Sequence, residues 1–233
     1  MKSTGGSTAA KQHAARAAVD RVADGMTVGL GTGSTTAYAI ETLGERVADG
    51  LDIHAVTTSF SSRTRALEAG IEVIDLDRIA ADGGIDLAID GADQFVLGSG
   101  DCIKGGGAAH TREKLVASAA DRFHVVVDKT KIAERLDRPV AIEVLPAAHR
   151  LVADAVDERG GEPTLRIAER KDGPIVTDNG NLVVDCEFGV IEKPEALAAE
   201  LSSLAGVVDH GLFVDAVTAV SVGDDDGVET TVY

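Results

Sequence analysis

The chain has 233 residues, 44% of them hydrophobic, enough for one large domain or two small ones with cores of their own. Its 39 acidic residues against 22 basic ones leave a formal net charge of −17, which argues against a nucleic-acid surface. No apolar run is long enough to cross a bilayer, and Cys102 and Cys186 lie at no metal-ligand spacing, so membrane and metal-thiolate classes drop out and both thiols read as reduced.

The acid is spread along the chain rather than gathered in a tail, the pattern of a halophile's cytoplasmic protein that must stay hydrated in concentrated salt. The opening MKSTGGSTAAKQ lacks the apolar middle of a signal peptide and reads as a short lead. Residues 8–23 are Ala-rich with helical spacing and stop at Asp24-Gly25. TVGLG (27–31) predicts a buried strand and TTAYAIETLGERVA (35–48) an amphipathic helix. Then come a strand at DIHAV (52–56), a helix at SSRTRALEAG (61–70), and strands at EVIDL (72–76) and LAID (87–90). A Gly-rich stretch leads to a helix over 111–120 and the strand FHVVVD (123–128). Strands alternating with helices predict an α/β fold with a doubly wound, mostly parallel sheet.

The pattern changes after about residue 132. VAIEV (140–144), a helix near 147–159, TLRIA (164–168), LVVDC (182–186), a helix over 194–204 and GVVDHGLF (206–213) follow in order. Strand, helix, strand, strand, helix, strand is the order of a ferredoxin-like α+β unit. The tail predicts a hairpin around GDDDG that returns to the first domain. The expected division is therefore residues 1–131 with 209–233 as an α/β catalytic domain, and 132–208 as a smaller α+β domain.

Five stretches carry candidate chemistry, and each follows a predicted strand. GLGTGSTTAYAI (29–40) offers backbone N–H groups at a helix start, where Ser34 or Thr35 caps the helix or meets a phosphate. It is not a dinucleotide fingerprint: from Gly29 the sixth position is Ser34, and from Gly31 it is Thr36. TTSFSSRTR (57–65) is a second hydroxyl-rich junction, serving either as a helix cap or as a ligand contact. In IDGADQF (89–95), Asp90 and Asp93 fall where open α/β sheets bind ligands. In CIKGGGAAHTREKL (102–115), three glycines let backbone approach a ligand closely, with Lys104 before them and Glu113 after. VVVDKTK (125–131) sets Lys131 beyond a strand end. On so acidic a chain, lysines at these positions supply the local positive charge that an anionic substrate needs. His110 beside the glycines reads as a bystander, and Asp224 to Asp226 as a solvated turn rather than a cation site.

GTGST (31–35), DGAD (90–93), KGGGAA (104–109) with TREK (111–114), Lys131, EVLP (143–146) and TDNGN (177–181) together resemble the ribose-5-phosphate isomerases of the A type, in order and spacing over nearly the whole chain. The resemblance implies an α/β domain of the sugar-isomerase and CoA-transferase kind with an α+β lid, in a cytoplasmic homodimer or homotetramer. It implies a small sugar phosphate as partner, with no nucleic acid or membrane, and an isomerase that uses no cofactor and no metal. Carried over by position, Glu113 matches the general base, and Asp90, Asp93 and Lys104 the other catalytic polar groups. Thr32, Gly33, Ser34 and Thr35 match the substrate loop, with Gly91 and Ala92 between the two aspartates and Gly105, Gly106 and Gly107 as further contacts. Lys131 and, on the first helix, Lys11 match ligand-contacting lysines. One departure is Gln94, where the family usually has Glu. It keeps a hydrogen bond if that residue supports the loop, and alters the pH profile if it tunes a pKa. Deaminases or lactonases of sugar phosphates and non-catalytic sugar-phosphate sensors are the rival functions.

Overall fold

The computed structural model describes residues 5–82 and 84–233; the first four residues of the expected lead lie outside this set. In chain order the first elements are α1 (Thr8–Val19), β1 (Thr27–Leu30), α2 (Ser34–Ala48), β2 (His54–Thr57), α3 (Phe60–Glu68), β3 (Glu72–Val73), α4 (Leu76–Asp82) and β4 (Leu87–Asp90). Two short strands, β5 (Gln94–Phe95) and β6 (Cys102–Ile103), precede α5 (His110–Ser118) and β7 (Phe123–Asp128). Then follow β8 (Val140–Val144), α6 (His149–Asp157), β9 (Glu162–Leu165), β10 (Leu182–Glu187), α7 (Pro194–Ser202), β11 (Val207–His210), β12 (Leu212–Phe213), β13 (Ala219–Gly223) and β14 (Val228–Val232).

These fall into two compact units. One, the α/β unit, comprises the described residues up to Ala92 together with Arg112–Ile132 and Ala216–Tyr233. The other comprises Asp93–Thr111 and Ala133–Asp215. Compared with the expected boundaries, the segment Asp93–Thr111 joins the second unit, and the return to the first comes at Ala216 rather than at 209.

The α/β unit is built on a seven-stranded sheet in the order β14-β13-β7-β4-β1-β2-β3. Every neighbouring pair is parallel except β13 with β14, the tail hairpin. β7 and β13 are buried at every position, as continuous apolar runs covered on both faces require. The core gathers Ala14, Ala18 and Val19 of α1, Ile40 and Leu43 of α2, and Val28, Leu30, Leu87 and Ile89 of the central strands. The small alanines of α1 let it lie close, and at Gly223 an added Cβ would come within 1.9 Å of the Ala10 carbonyl oxygen.

The second unit holds a four-stranded antiparallel sheet ordered β11-β8-β10-β9, which is fourth, first, third, second in the chain, as a ferredoxin-like unit requires. Val140, Ile142 and Val144 of β8 pack with Val152 and Val156 of α6 and Leu201 of α7. A separate three-stranded sheet, β12-β6-β5, completes it.

Three sequence expectations are corrected. The strand expected over 72–76 stops at Val73, because Leu76 already opens α4, with Asp77 in a first turn that favours acid. The strand expected at 164–168 lies at Glu162–Leu165 instead. There β9 is the sheet edge, where Pro163 needs no ladder donor. The first helix ends at Val19, and its last turn is finished by single turns from Arg21 to Ala18 and Val22 to Val19.

Candidate active site

The order of the sheet reverses at β1 and β4, which are neighbours though β2 and β3 lie between them in sequence. That is the switch point where open α/β sheets carry ligands, beyond the carboxyl ends of the strands. β4 ends in Asp90, which is only 3% exposed. Its Oδ1 accepts the Thr32 N–H at 3.0 Å and the Gly91 N–H at 2.7 Å, with the Thr36 hydroxyl at 3.4 Å. Gly31 makes this possible, since a Cβ there would fall 1.8 Å from the Asp90 carboxyl carbon.

From Thr32 the chain enters α2. Its N-cap is Gly33, no side chain caps the helix, and no acid stands in its first turn. The first N–H groups, at the expected loop residues Ser34 (exposed) and Thr35 (buried), therefore open a helix end suited to an anion. Thr32 is itself braced: its hydroxyl lies 2.8 Å from that of Thr58 and donates to Ser59 Oγ at 2.7 Å. The second hydroxyl-rich stretch thus acts as support. Ser59 caps α3 in a reciprocal capping box with Ser62.

Glu113 is 4% exposed in the first turn of α5, where the helix end favours a carboxylate. Gly29 lets α5 approach the sheet: a Cβ there would lie 2.5 Å from Val116. Lys131 is half-buried at the end of a 3-10 turn, Lys129–Lys131, that follows β7, and Lys11 is half-buried on α1. Thr32, Gly33, Ser34, Thr35, Asp90, Gly91, Ala92, Glu113, Lys131 and Lys11 all belong to the α/β unit.

The remaining predicted residues, Asp93, Lys104, Gly105, Gly106 and Gly107, belong to the other unit. Lys104, 3% exposed, has its ammonium 5.5 Å from the centre of the Phe213 ring, within cation–π range. Its N–H donates to the Gly211 carbonyl at 2.8 Å. Asp93 Oδ2 accepts the Gly106 N–H at 2.7 Å, and a Cβ at Gly106 would crowd Asp93 Oδ1 at 2.7 Å. Gly105 takes φ +108°, open to glycine alone, and a Cβ there would meet Ala141 at 2.7 Å and the His110 ring at 3.0 Å. His110, fully buried, packs against this glycine.

Sequence reasoning read DNGN (178–181) as the turn before a hairpin strand and gave EVLP no task beyond the resemblance. Glu143 is fully buried in β8 and accepts from Thr177 Oγ1 (2.9 Å), Asn179 Nδ2 (3.0 Å) and Asn181 Nδ2 (2.8 Å). Burial alone would raise its pKa, but hydrogen bonds from Thr111, Asn181, Asn179 and Thr177 outweigh that and hold it below the ordinary carboxylate value. Gln94 is likewise fully used: Nε2 donates to Asp137 Oδ1 at 2.6 Å, and Oε1 accepts the Asp137 and Arg138 N–H groups at 2.9 and 3.1 Å. It supports the 137–138 loop. Arg166 and Asp185, an ion pair at the glycine segment, carried no sequence signal.

Other titratable groups are structural. His124 is buried in β7 with Nε2 2.8 Å from the Ser221 hydroxyl. Burial, with Arg21 and Arg122 nearby, pushes its pKa down to about 4. Burial pushes the Cys186 thiol up to about 12, so it is no nucleophile. In GDDDG, Asp224 accepts N–H groups from Asp226 and Gly227 and pairs with Lys129. Among the described residues no group of His, Cys, Asp and Glu is arranged to hold a metal, and no helix is long and apolar enough to cross a membrane.

A fixed carboxylate beside an open helix end, at the switch point of a doubly wound sheet, defines an α/β enzyme for a small anionic substrate. The model of the ribose 5-phosphate isomerase A (phosphoriboisomerase A) family matches residues 54–227, and the chain belongs to that family. A ribose-5-phosphate isomerase A of Halorubrum lacusprofundi is 57% identical over 235 residues, covering 98% of each chain. The structure of ribose 5-phosphate isomerase A from Methanocaldococcus jannaschii is 40% identical with a TM-score of 0.91, covering 96% of this chain and 98% of that one. A D-ribose-5-phosphate isomerase in complex with phospho-erythronic acid matches with the same TM-score, 38% identity, and 96% and 97% coverage.

Proposed function

We propose that the chain interconverts D-ribose 5-phosphate and D-ribulose 5-phosphate through an enediolate, a step of non-oxidative pentose phosphate metabolism. The observation that carries this reading is Asp90, held by the Thr32 and Gly91 amides next to the uncapped start of α2. The phospho-erythronic acid bound by one relative supports it. That molecule is a phosphorylated four-carbon acid, and its planar carboxylate carries charge as an enediolate does.

Isomerisation starts with ring opening, a proton transfer between the anomeric hydroxyl and the ring oxygen, assisted by Asp90 and Asp93. Glu113 takes the C2 proton of the open aldose and returns it at C1. Positioned general-base catalysis of this kind contributes about 10²–10⁴-fold. Lys104 and the N–H groups of Gly105 to Gly107 stabilise charge on the C1 and C2 oxygens, roughly 3–4 kcal/mol for a preorganised donor. The phosphate meets the open start of α2 at Thr32 to Thr35, with Lys131 and Lys11 as counter-charges and Gly91 and Ala92 lining the path of the sugar. No step requires a metal or cofactor. A homodimer or homotetramer in the cytoplasm is the expected state, and light scattering in molar KCl measures the number of subunits.

The test is ketose formation from D-ribose 5-phosphate, with EDTA present and KCl varied from dilute to molar, alongside Glu113→Gln. Turnover in the wild type that is lost in the variant supports the reading. Folded wild-type protein inactive at every salt concentration refutes it, and ammonia or acid release would then be assayed.

A further inference from the structure

The peptide group between Gly105 and Gly106 is held at both ends. Its N–H donates to Asp93 Oδ2 at 2.7 Å, and its carbonyl oxygen accepts from Arg166 Nη1 at 2.8 Å. The Gly106 carbonyl lies 3.5 Å from the same nitrogen. Behind it, the guanidinium forks onto Asp185: Nε donates to Oδ2 at 2.8 Å and Nη2 pairs with Oδ1. The two side chains are 14% and 22% exposed, so solvent competes little for these bonds. The result is an ordered series of carboxylate, guanidinium, peptide and carboxylate.

Such a series is cooperative. A cation on a peptide oxygen draws electron density from the nitrogen and makes the N–H a stronger donor, and a carboxylate on that N–H does the converse. Glycine at 106 admits Asp93, with which a Cβ there would collide, and glycine at 105 keeps the backbone clear of Ala141. Lysine would not replace Arg166, because a single ammonium cannot grip Asp185 with two nitrogens and still reach Gly105.

We infer that Arg166, backed by Asp185, is a positioning residue for the isomerase reaction: it fixes and polarises the Gly105–Gly106 peptide that orients Asp93. The inference rests on the isomerase reading, with Asp93 as the residue through which Arg166 acts.

A double-mutant cycle on ketose formation tests it, with folding of each variant checked by near-UV circular dichroism. Arg166→Met is expected to lower kcat about 10- to 100-fold with KM within about 3-fold, the split that marks loss of a transition-state interaction. Arg166→Lys and Asp185→Asn should fall between it and the wild type. In an Asp93→Ala background, the same Arg166→Met change should cost less than about 3-fold further, because the acceptor of the Gly106 N–H is gone. Equal losses in both backgrounds would overturn the relay and leave Arg166 a brace for the fold.

A second arm needs no turnover. The Gly106 amide proton should move upfield in Arg166→Met as its hydrogen bond to Asp93 weakens, and an unmoved resonance refutes the inference even if Arg166→Met is too unstable to assay. A wild type that never converts D-ribose 5-phosphate would instead sink the isomerase reading, with the amide shift still reporting on the contact.

Discussion

Asp90 and Glu143 are both carboxylates almost without solvent, 3% and 0% exposed, and each accepts several hydrogen bonds. They are held in opposite ways. Asp90 takes backbone N–H groups from the loop that opens α2 and from its own strand end, at the carboxyl edge of a parallel sheet. Glu143 takes side-chain donors from the turn Thr177 to Asn181 and from Thr111, while sitting inside an antiparallel strand. Burial and a full set of donors therefore do not mark a catalytic acid. Location on the sheet separates them: one carboxylate ends a strand at the carboxyl edge of the parallel sheet, where Gly31 leaves it room, and the other ties a turn to an antiparallel strand.

The widest separation between the two should appear in Asp90→Asn and Glu143→Ala. Asp90→Asn is expected to lower kcat for ketose formation by at least about 10²-fold, with the thermal midpoint moved by only a few degrees. Glu143→Ala should do the reverse, costing about 3–5 kcal/mol in urea unfolding because Thr177, Asn179 and Asn181 lose their acceptor. A Glu143→Ala protein of wild-type stability would break the comparison.

Acid sharpens it next. His124 titrates near 4 in the folded chain against 6.5 unfolded, so the unfolded state binds the extra proton first. Stability is then full above about pH 6.5 and falls as pH drops toward 4, by about 3 kcal/mol at most. His124→Leu should flatten that limb in unfolding titrations. The depressed pKa of Glu143 acts lower: its contribution is present above the unfolded value of 4.5 and is lost as pH falls through the folded one. Glu143→Gln should remove only this lower step.

The smallest effect belongs to Gln94. Gln94→Glu would set a carboxylate oxygen where Nε2 now donates to Asp137 at 2.6 Å. It should cost about 1–2 kcal/mol at pH 7 and less at pH 4, where the pair shares a proton. Equal stability at both values would mean the loop rearranges.

The parallel sheet, the ferredoxin-like order and the motif segments were legible because each rests on local apolar period, turn chemistry or spacing. Asp90 and Glu113 stood out for the same reason, as acids at a strand end and a helix start. The three-stranded sheet was not legible, since two-residue strands such as Cys102–Ile103 have no period to read. Neither was Arg166, whose partners Gly105 and Asp185 lie 61 and 19 residues away and are joined only by folding. The two hydroxyl-rich junctions looked alike in sequence. What separates them is that Ser59 and Ser62 cap their own helix, while Gly33 leaves its helix uncapped.

β7, buried at all six positions, is covered on one side by β13, and the Phe123 and Thr218 ends of that pairing are 95 residues apart. Everything from Ala133 to Asp215 is made in between. At roughly 5–20 residues per second, a ribosome leaves FHVVVD waiting roughly 5–20 s for its neighbour. During that interval an apolar strand edge is open to any other chain. The α/β sheet is thus begun first in synthesis and receives its last strands, β13 and β14, only after the second unit has been made.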